Sequence, residues 1–370
     1  MTMSPLLENL FALCEEFEAS DLHLAVDLEP RFRIRGSLVE KGGFKPFDAK
    51  TVDALAMELG LHTLPVGTSD GTEKVRLTLA REGAIDGALT SASGARYRFN
   101  VFRESDRHAI ALRRLDSAFR TFDELGLPAR LADFCDEPDG LVVVTGPTGS
   151  GKSTSLATMI DHINHRRCGH IITIEDPIEY VHRTDRCIVN QRQVGRDAKS
   201  FNDALVESLR QDPDVILVGE IRDLETIRTA LRAAETGHLV FTTLHAGDCA
   251  GAIERLISVF PAEEQNSARH QLALVLRGIF AQHLLPTPDR TVRHPACELL
   301  VNTTAVANLI ATGRTAQIYS LIETGANSGM RTLDQSLAEM LARGDVDERC
   351  ALALSRNPEV LKGRLHAYRQ

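Results

Sequence analysis

The segment Gly146-Pro147-Thr148-Gly149-Ser150-Gly151-Lys152-Ser153 has the residue types and spacing of a phosphate cradle. It fits G-x-x-x-x-G-K-[ST] and follows an apolar run at 141–144, the strand that such a loop requires. Glycines let backbone N–H groups turn inward around phosphate oxygens, at the positive end of the helix that follows. Lys152 is expected to reach the β- and γ-phosphates and the Ser153 hydroxyl to ligate Mg²⁺. Thr154 is expected to help hold the α-phosphate through its hydroxyl or backbone. The chemistry implied is binding and hydrolysis of ATP with Mg²⁺.

Three further clusters follow short apolar runs: Glu175-Asp176 after 171–174, Gly219-Glu220 after 215–218, and His245 after 239–241. Parallel strands bring their C-terminal ends to one edge, so four such clusters point to one site. A typical partner strand ends in Asp-Glu, and here Gly219 takes the Asp position. Glu220 is the candidate base that orients the attacking water, a role worth roughly 10²–10⁴ in rate. Its structural alternative is pairing with Arg222 or Arg228. Glu175 and Asp176 can supply negative charge near the metal through water, since Mg²⁺ keeps part of its hydration shell. Otherwise they form a strand-end turn with Pro177. His245 is the candidate donor to the γ-phosphate, and His238, just before the same strand, is a second.

Elements must hold these clusters in place. The four apolar runs read as strands buried on both faces, as in a parallel sheet covered by helices. Residues 200–209 and 223–235 have helical character, so the alternation implies an α/β fold. From 261 to 361 the pattern is mainly helical. Near the start, Leu6, Leu7, Leu10, Cys14 and Phe17 recur at helical spacing. Strands are expected at 21–26 and 31–34 around a Glu29-Pro30 turn, a helix at 51–59, and strands again from 74 to 102. In that last stretch Val75, Leu77 and Leu79 alternate. The expected division is a small α+β domain at 1–115, a linker at 116–127, and an ATPase domain at 128–370 with a helical C-terminal part.

A length of 370 residues agrees with two domains. The net charge of -9 disfavours life on nucleic acid or anionic lipid, and with aromatics at only 5% base-stacking platforms are scarce. No apolar run is long enough to span a bilayer, and no secretory signal is visible at the N-terminus. Seven scattered cysteines without a C-x-x-C pair suggest buried thiols in a reducing cytoplasm rather than zinc or disulfides.

Nearly the whole chain resembles the type IV pilus retraction ATPases, the PilT and PilU branches of the secretion-type hexameric ATPases. The motifs that carry the resemblance are specific. They are Ala19-Ser20-Asp21-Leu22-His23-Leu24, the phosphate loop, Thr173-Ile174-Glu175-Asp176-Pro177-Ile178-Glu179-Tyr180, and the run from Leu209 to Glu220. Ala234-Glu235-Thr236-Gly237-His238 with Thr243-Leu244-His245 is similar to the family's His box. Glycine in place of the usual Asp before Glu220 is a family habit. The resemblance implies a PAS-like N-terminal domain, a RecA-like P-loop ATPase domain and a homohexameric ring. It also implies that N-terminal-domain arginines reach the nucleotide, by position Arg98 and Arg113, with Arg96 a weaker third. Read alone, Arg96 and Arg98 alternate on one strand face, and simple solvation is the lesser alternative.

The implied partners are an inner-membrane pilus platform protein and, for an accessory subunit, a second retraction ATPase. The implied location is cytoplasmic, peripheral at the pilus base. Assembly ATPases of the PilB type carry a longer N-terminus and a four-cysteine zinc site, both missing here. One departure stands out: where the PilT branch reads A-I-R-N-L-I-R-E, this chain has alanine at 307 and 311 in place of both arginines. Leu112-Arg113-Arg114-Leu115 and Leu285-Pro286-Thr287-Pro288-Asp289 look closer to PilU, so both branches stay open. The rival readings are a secretion or conjugation motor of the same ring class, and a nucleic-acid motor.

Overall fold

The computed structural model describes residues 3–34, 36–64, 68–115 and 118–368. These fall into two compact units. One comprises Met1–Ala118, Glu175–Val181 and Gln191–Ser200, and the other Phe119–Ile174, His182–Asn190 and Phe201–Gln370.

The first unit begins with α1 (Pro5–Glu16), where Ser4 accepts a hydrogen bond from Leu7 N and Leu7, Leu10, Phe11 and Cys14 face inward. Then come β1 (Asp21–Ala25), β2 (Arg31–Ile34), β3 (Ser37–Glu40), α2 (Ala49–Leu61), α3 (Gly71–Glu82), β4 (Ala84–Thr90), β5 (Arg96–Glu104) and β6 (Arg107–Leu115). The six strands form one antiparallel sheet in the order β3-β2-β1-β6-β5-β4. Its core includes Phe11 stacked on Tyr97 at 4.2 Å between ring centroids. The strand expected at 74–79 is instead the helix α3. Val75 and Leu79 are buried one helical turn apart while Leu77 is 60% exposed, whereas a strand would turn all three to one side. Gly83, at φ +78°, closes that helix in the left-handed conformation.

The second unit holds α4 (Arg130–Asp136), β7 (Gly140–Thr145), α5 (Lys152–Arg166), most of β8 (His170–Glu175), the first half of β9 (Ile188–Gln193), α6 (Phe201–Ser208) and β10 (Val215–Val218). It continues with α7 (Leu224–Glu235), β11 (Leu239–Leu244), α8 (Cys249–Ser258), α9 (Gln265–Val275), β12 (Leu276–Pro286) and β13 (Arg293–Val301). The last helices are α10 (Thr304–Ala311), α11 (Ile318–Thr324), α12 (Leu333–Arg343), α13 (Glu348–Leu354) and α14 (Pro358–Tyr368).

The strand order is β13-β12-β7-β11-β10-β8-β9. Neighbours from β12 to β8 run parallel, and β13 is antiparallel to β12. Every residue of β7, β10 and β11 is buried, which is why these runs are apolar without alternation. The long β12–β13 hairpin corrects the expectation of a mainly helical stretch from 261 at residues 276–301. It extends the sheet beyond β7, and its turn is tied by Asp289, which accepts from Thr291 N at 3.1 Å. Of the expected linker, Asp116 and Ser117 lie outside the described residues, while Phe122 and Leu127 are buried in the core of the second unit.

Candidate functional site

The phosphate loop joins β7 to α5 at the C-terminal edge of the sheet. Its glycines are there for space as well as for phosphate. Gly146 has φ +146°, and a Cβ on it would lie 2.3 Å from the Gln282 carbonyl oxygen. Gly151, at φ +90°, would bring a Cβ to 2.8 Å from the Gln282 side-chain nitrogen. Gln282, from β12, is 3% exposed, and its Oε1 accepts from the Ser155 hydroxyl at 2.6 Å. It therefore props the loop from below. Sequence reasoning missed it because the surrounding residues were expected to be helical.

Lys152 Nζ donates to the carbonyls of Gly146 at 2.9 Å and Pro147 at 3.0 Å, which folds the amine over the loop. Among the described residues, the buried Ser150 hydroxyl has no hydrogen-bond partner. An orphaned hydroxyl, inward-turning glycines, a lysine and a helix N-terminus together fit a nucleotide's phosphates. Gly146→Ala is expected to destabilise the fold by about 1–3 kcal/mol through backbone strain. It should also weaken nucleotide binding roughly tenfold, the loss of one 1.4 kcal/mol contact. Thermal melting and fluorescent-nucleotide titration check this, and unchanged values of both would contradict it.

Beside the loop stand the ends of β10 and β11. Thr243 donates from its hydroxyl to the Gly219 carbonyl at 2.5 Å, and Gly219 N donates to Ile174 O at 2.8 Å. Thr145, fully buried at the end of β7, donates to Ala246 O and accepts from Ala246 N, both at 2.9 Å. These bonds fix the backbones that carry Glu220 and His245 relative to the phosphate loop. The Glu220 side chain is only 18% exposed, and its Oε1 meets the exposed Arg222 guanidinium at 2.7 Å. His245 Nε2 lies 3.8 Å from Glu220 Oε2. Arg228 instead pairs with Glu264 at 2.6 Å. Burial and the nearby Lys152 charge push the His245 pKa below its ordinary value, so its imidazole is neutral at neutral pH, with one nitrogen that donates. His238 sits at the other end of β11, where Nδ1 bonds the Ala233 carbonyl at 2.9 Å, a strand's length from the loop.

Ser153 and Thr154 stand in the first turn of α5, directly after Lys152. Glu175, Asp176, Arg96, Arg98 and Arg113 belong to the first unit. Glu175 and Asp176 close β8. Glu175 accepts from Gln191 Nε2 at 3.2 Å, and a cis peptide joins Asp176 to Pro177. Arg98 and Arg113 are direct cross-strand partners on β5 and β6. Arg98 meets Glu179 at 3.7 Å, and Arg113 Nε donates to Asp21 at 2.8 Å. Arg96 is used differently. Its guanidinium donates to the Ile178 carbonyl at 3.0 and 3.3 Å and to the Thr90 hydroxyl at 3.1 Å, a clamp on the 175–181 segment.

A phosphate loop on a buried parallel strand, flanked by an acidic and an imidazole strand end, defines a RecA-like P-loop domain. Here it is combined with a smaller N-terminal α+β unit. A family model described as "Type II/IV secretion system protein" matches residues 93–346. The type IV pilus retraction ATPase PilT of Pseudomonas aeruginosa is 41% identical over 355 residues, 95% of this chain and 99% of that one. The type IV pilus ATPase PilU of the same organism is 38% identical, over 94% of this chain and 87% of PilU. The crystal structure of the pilus retraction motor PilT with bound ADP superposes with a TM-score of 0.86 at 41% identity, covering 96% of this chain and 98% of that one. The chain belongs to the type II/IV secretion system protein family, among its PilT/PilU-like ATPases.

Proposed function

We propose that this chain is an ATP-hydrolysing motor that powers type IV pilus retraction by driving pilin disassembly. The observation that carries the reading is the end-to-end similarity to PilT, on a chain whose phosphate loop, Glu220 and His245 share one sheet edge. In this reading residues 146–154 bind the triphosphate, and Lys152 neutralises its β- and γ-oxygens. Ser153 would ligate Mg²⁺, with Glu175 and Asp176 acting through its waters. The ion, when bound, offsets charge that builds up on the phosphates. Arg222 anchors one oxygen of Glu220, which leaves Oε2 to take a proton from the attacking water. His245 donates to the γ-phosphate and reports its loss. Arg98 and Arg113 supply positive charge to a nucleotide in the ring.

The functional division is residues 1–115 as a PAS-like domain and 128–370 as motor, joined by 116–127, whose C-terminal part packs on the motor core. The working form is a homohexamer acting on an inner-membrane platform protein, peripheral to the membrane and without nucleic acid. Among the described residues no helix is long and apolar enough to cross a membrane.

A second reading, an accessory subunit that needs a sister retraction ATPase, is favoured by the alanines at 307 and 311. They lie one turn apart and half-buried on α10, where two arginines would offer a carboxylate-bearing neighbour ten donors. One experiment separates the readings: surface pili and retraction force in cells where this is the only such ATPase. Strong retraction, with excess pili and lost motility once Lys152→Ala replaces it, supports the autonomous motor. Weak retraction restored by Ala307→Arg plus Ala311→Arg supports the accessory role. Bald cells on deletion would overturn both in favour of assembly.

A further inference from the structure

The motif Ala19-Ser20-Asp21-Leu22-His23-Leu24 opens β1, with Leu22 and Leu24 buried in the core of the first unit. Asp21 points to the opposite face of the sheet. In register it lies opposite Arg33 on one side and Arg113 on the other, and Arg113 lies opposite Arg98. Arg98, Arg113, Asp21 and Arg33 thus form one row across four strands. Directly opposed side chains on neighbouring strands start about 5 Å apart, and like charges there repel. Arg98 and Arg113 are such a pair.

Asp21 is the carboxylate built into that row. It is 8% exposed and accepts from Arg113 Nε at 2.8 Å and from the Ser20 hydroxyl at 2.7 Å. Arg33 Nε stands 3.6 Å away on its other side. Burial alone would raise its pKa, but the Ser20 hydroxyl and the Arg113 guanidinium outweigh that and hold it below the ordinary carboxylate range. Among the described residues Arg113 is gripped at Nε by this buried anchor, and 69% of its side chain remains exposed. Holding a guanidinium at Nε restrains its rigid plane while the terminal nitrogens stay able to meet another group.

We infer that Asp21 is a positioning residue for Arg113: it aims that guanidinium, and offsets the charge of the neighbouring arginines, so that Arg113 can act on a nucleotide. The inference rests on the proposed role of Arg113 and extends it to the motif at the start of β1. Misplacing a group that acts on the transition state by about 1 Å can cost on the order of 10² in rate.

The test is steady-state ATP turnover by the purified full-length chain carrying Asp21→Asn, Arg113→Ala or both, with thermal melting as the control for folding. Asp21→Asn is expected to lower kcat by about 10–10²-fold with little change in KM, and to cause no further loss once Arg113 is alanine. Should Asp21→Asn fail to fold, Ser20→Ala removes one of the bonds that hold the carboxylate. It should give a smaller loss that also vanishes in the Arg113→Ala background. Losses that multiply in the double variant, or normal turnover in Asp21→Asn where Arg113→Ala is impaired, would overturn the positioning role alone. Normal turnover in Arg113→Ala would instead remove the arginine reading and this inference with it.

Discussion

Arg113→Ala is expected to slow ATP turnover by as much as about 10³–10⁵-fold, the range over which an arginine finger acts. The expectation follows from its placement. Arg113 sits at the far end of β6, anchored through Nε by Asp21, with most of its length exposed. A structural arginine is normally consumed by its contacts, as Arg96 is by Ile178 and Thr90. Arg98, the cross-strand partner, should show a loss in the same direction. Whether the guanidinium serves its own chain or a neighbour is answered by mixing Arg113→Ala and Glu220→Gln subunits in one ring. Partial recovery would mean supply from the neighbour, and no recovery would favour the same chain. Turnover at the wild-type rate by Arg113→Ala alone would defeat the finger.

Glu220→Gln is expected to retain MgATP binding while turnover falls roughly 10²–10⁴-fold, because the amide keeps the shape and loses the base. The largely buried side chain makes this a clean exchange: a glutamine oxygen can still accept from Arg222 at the 2.7 Å position. Lys152→Ala should differ in kind, weakening binding and turnover together, since in the proposed site its charge meets the phosphates. Nucleotide titration beside steady-state hydrolysis distinguishes the two patterns. Unimpaired hydrolysis by Glu220→Gln would take Glu220 out of the chemistry.

The parts of the fold most legible in the sequence were those that water cannot reach. β7, β10 and β11 are buried along their whole length, so their residues had to be apolar and their ends stood out against the polar clusters that follow. The phosphate loop was legible because its glycines answer to local backbone geometry. α3 was misread because Val75, Leu77 and Leu79 satisfy a period of two as well as, in part, one of 3.6, and only burial separates the cases. β12 and β13 were missed because a hairpin placed beside β7 by tertiary pairing leaves little local signature. The same blindness hid Gln282, whose importance lies in touching Gly146 and Ser155, far away in sequence. Asp21 was visible as part of a motif, yet the row that gives it meaning exists only once four strands are in register.

The paired hydrogen bonds between Thr145 and Ala246 bear on the timing of the motor. They join the strand that leads into the phosphate loop to the segment that carries His245, so neither end can drift without breaking two partly buried bonds. In the proposed role of His245, a nucleotide-dependent signal would then be carried chiefly by rotation of the imidazole itself. Side-chain rotation of a partly exposed residue takes picoseconds to nanoseconds, whereas typical enzyme turnover is about 1–10³ s⁻¹. With His245 as the proposed γ-phosphate donor, detection of that phosphate would be effectively instantaneous on the scale of a power stroke. The clock of this machine must be set elsewhere, by bond cleavage, product departure or the collective movements that follow.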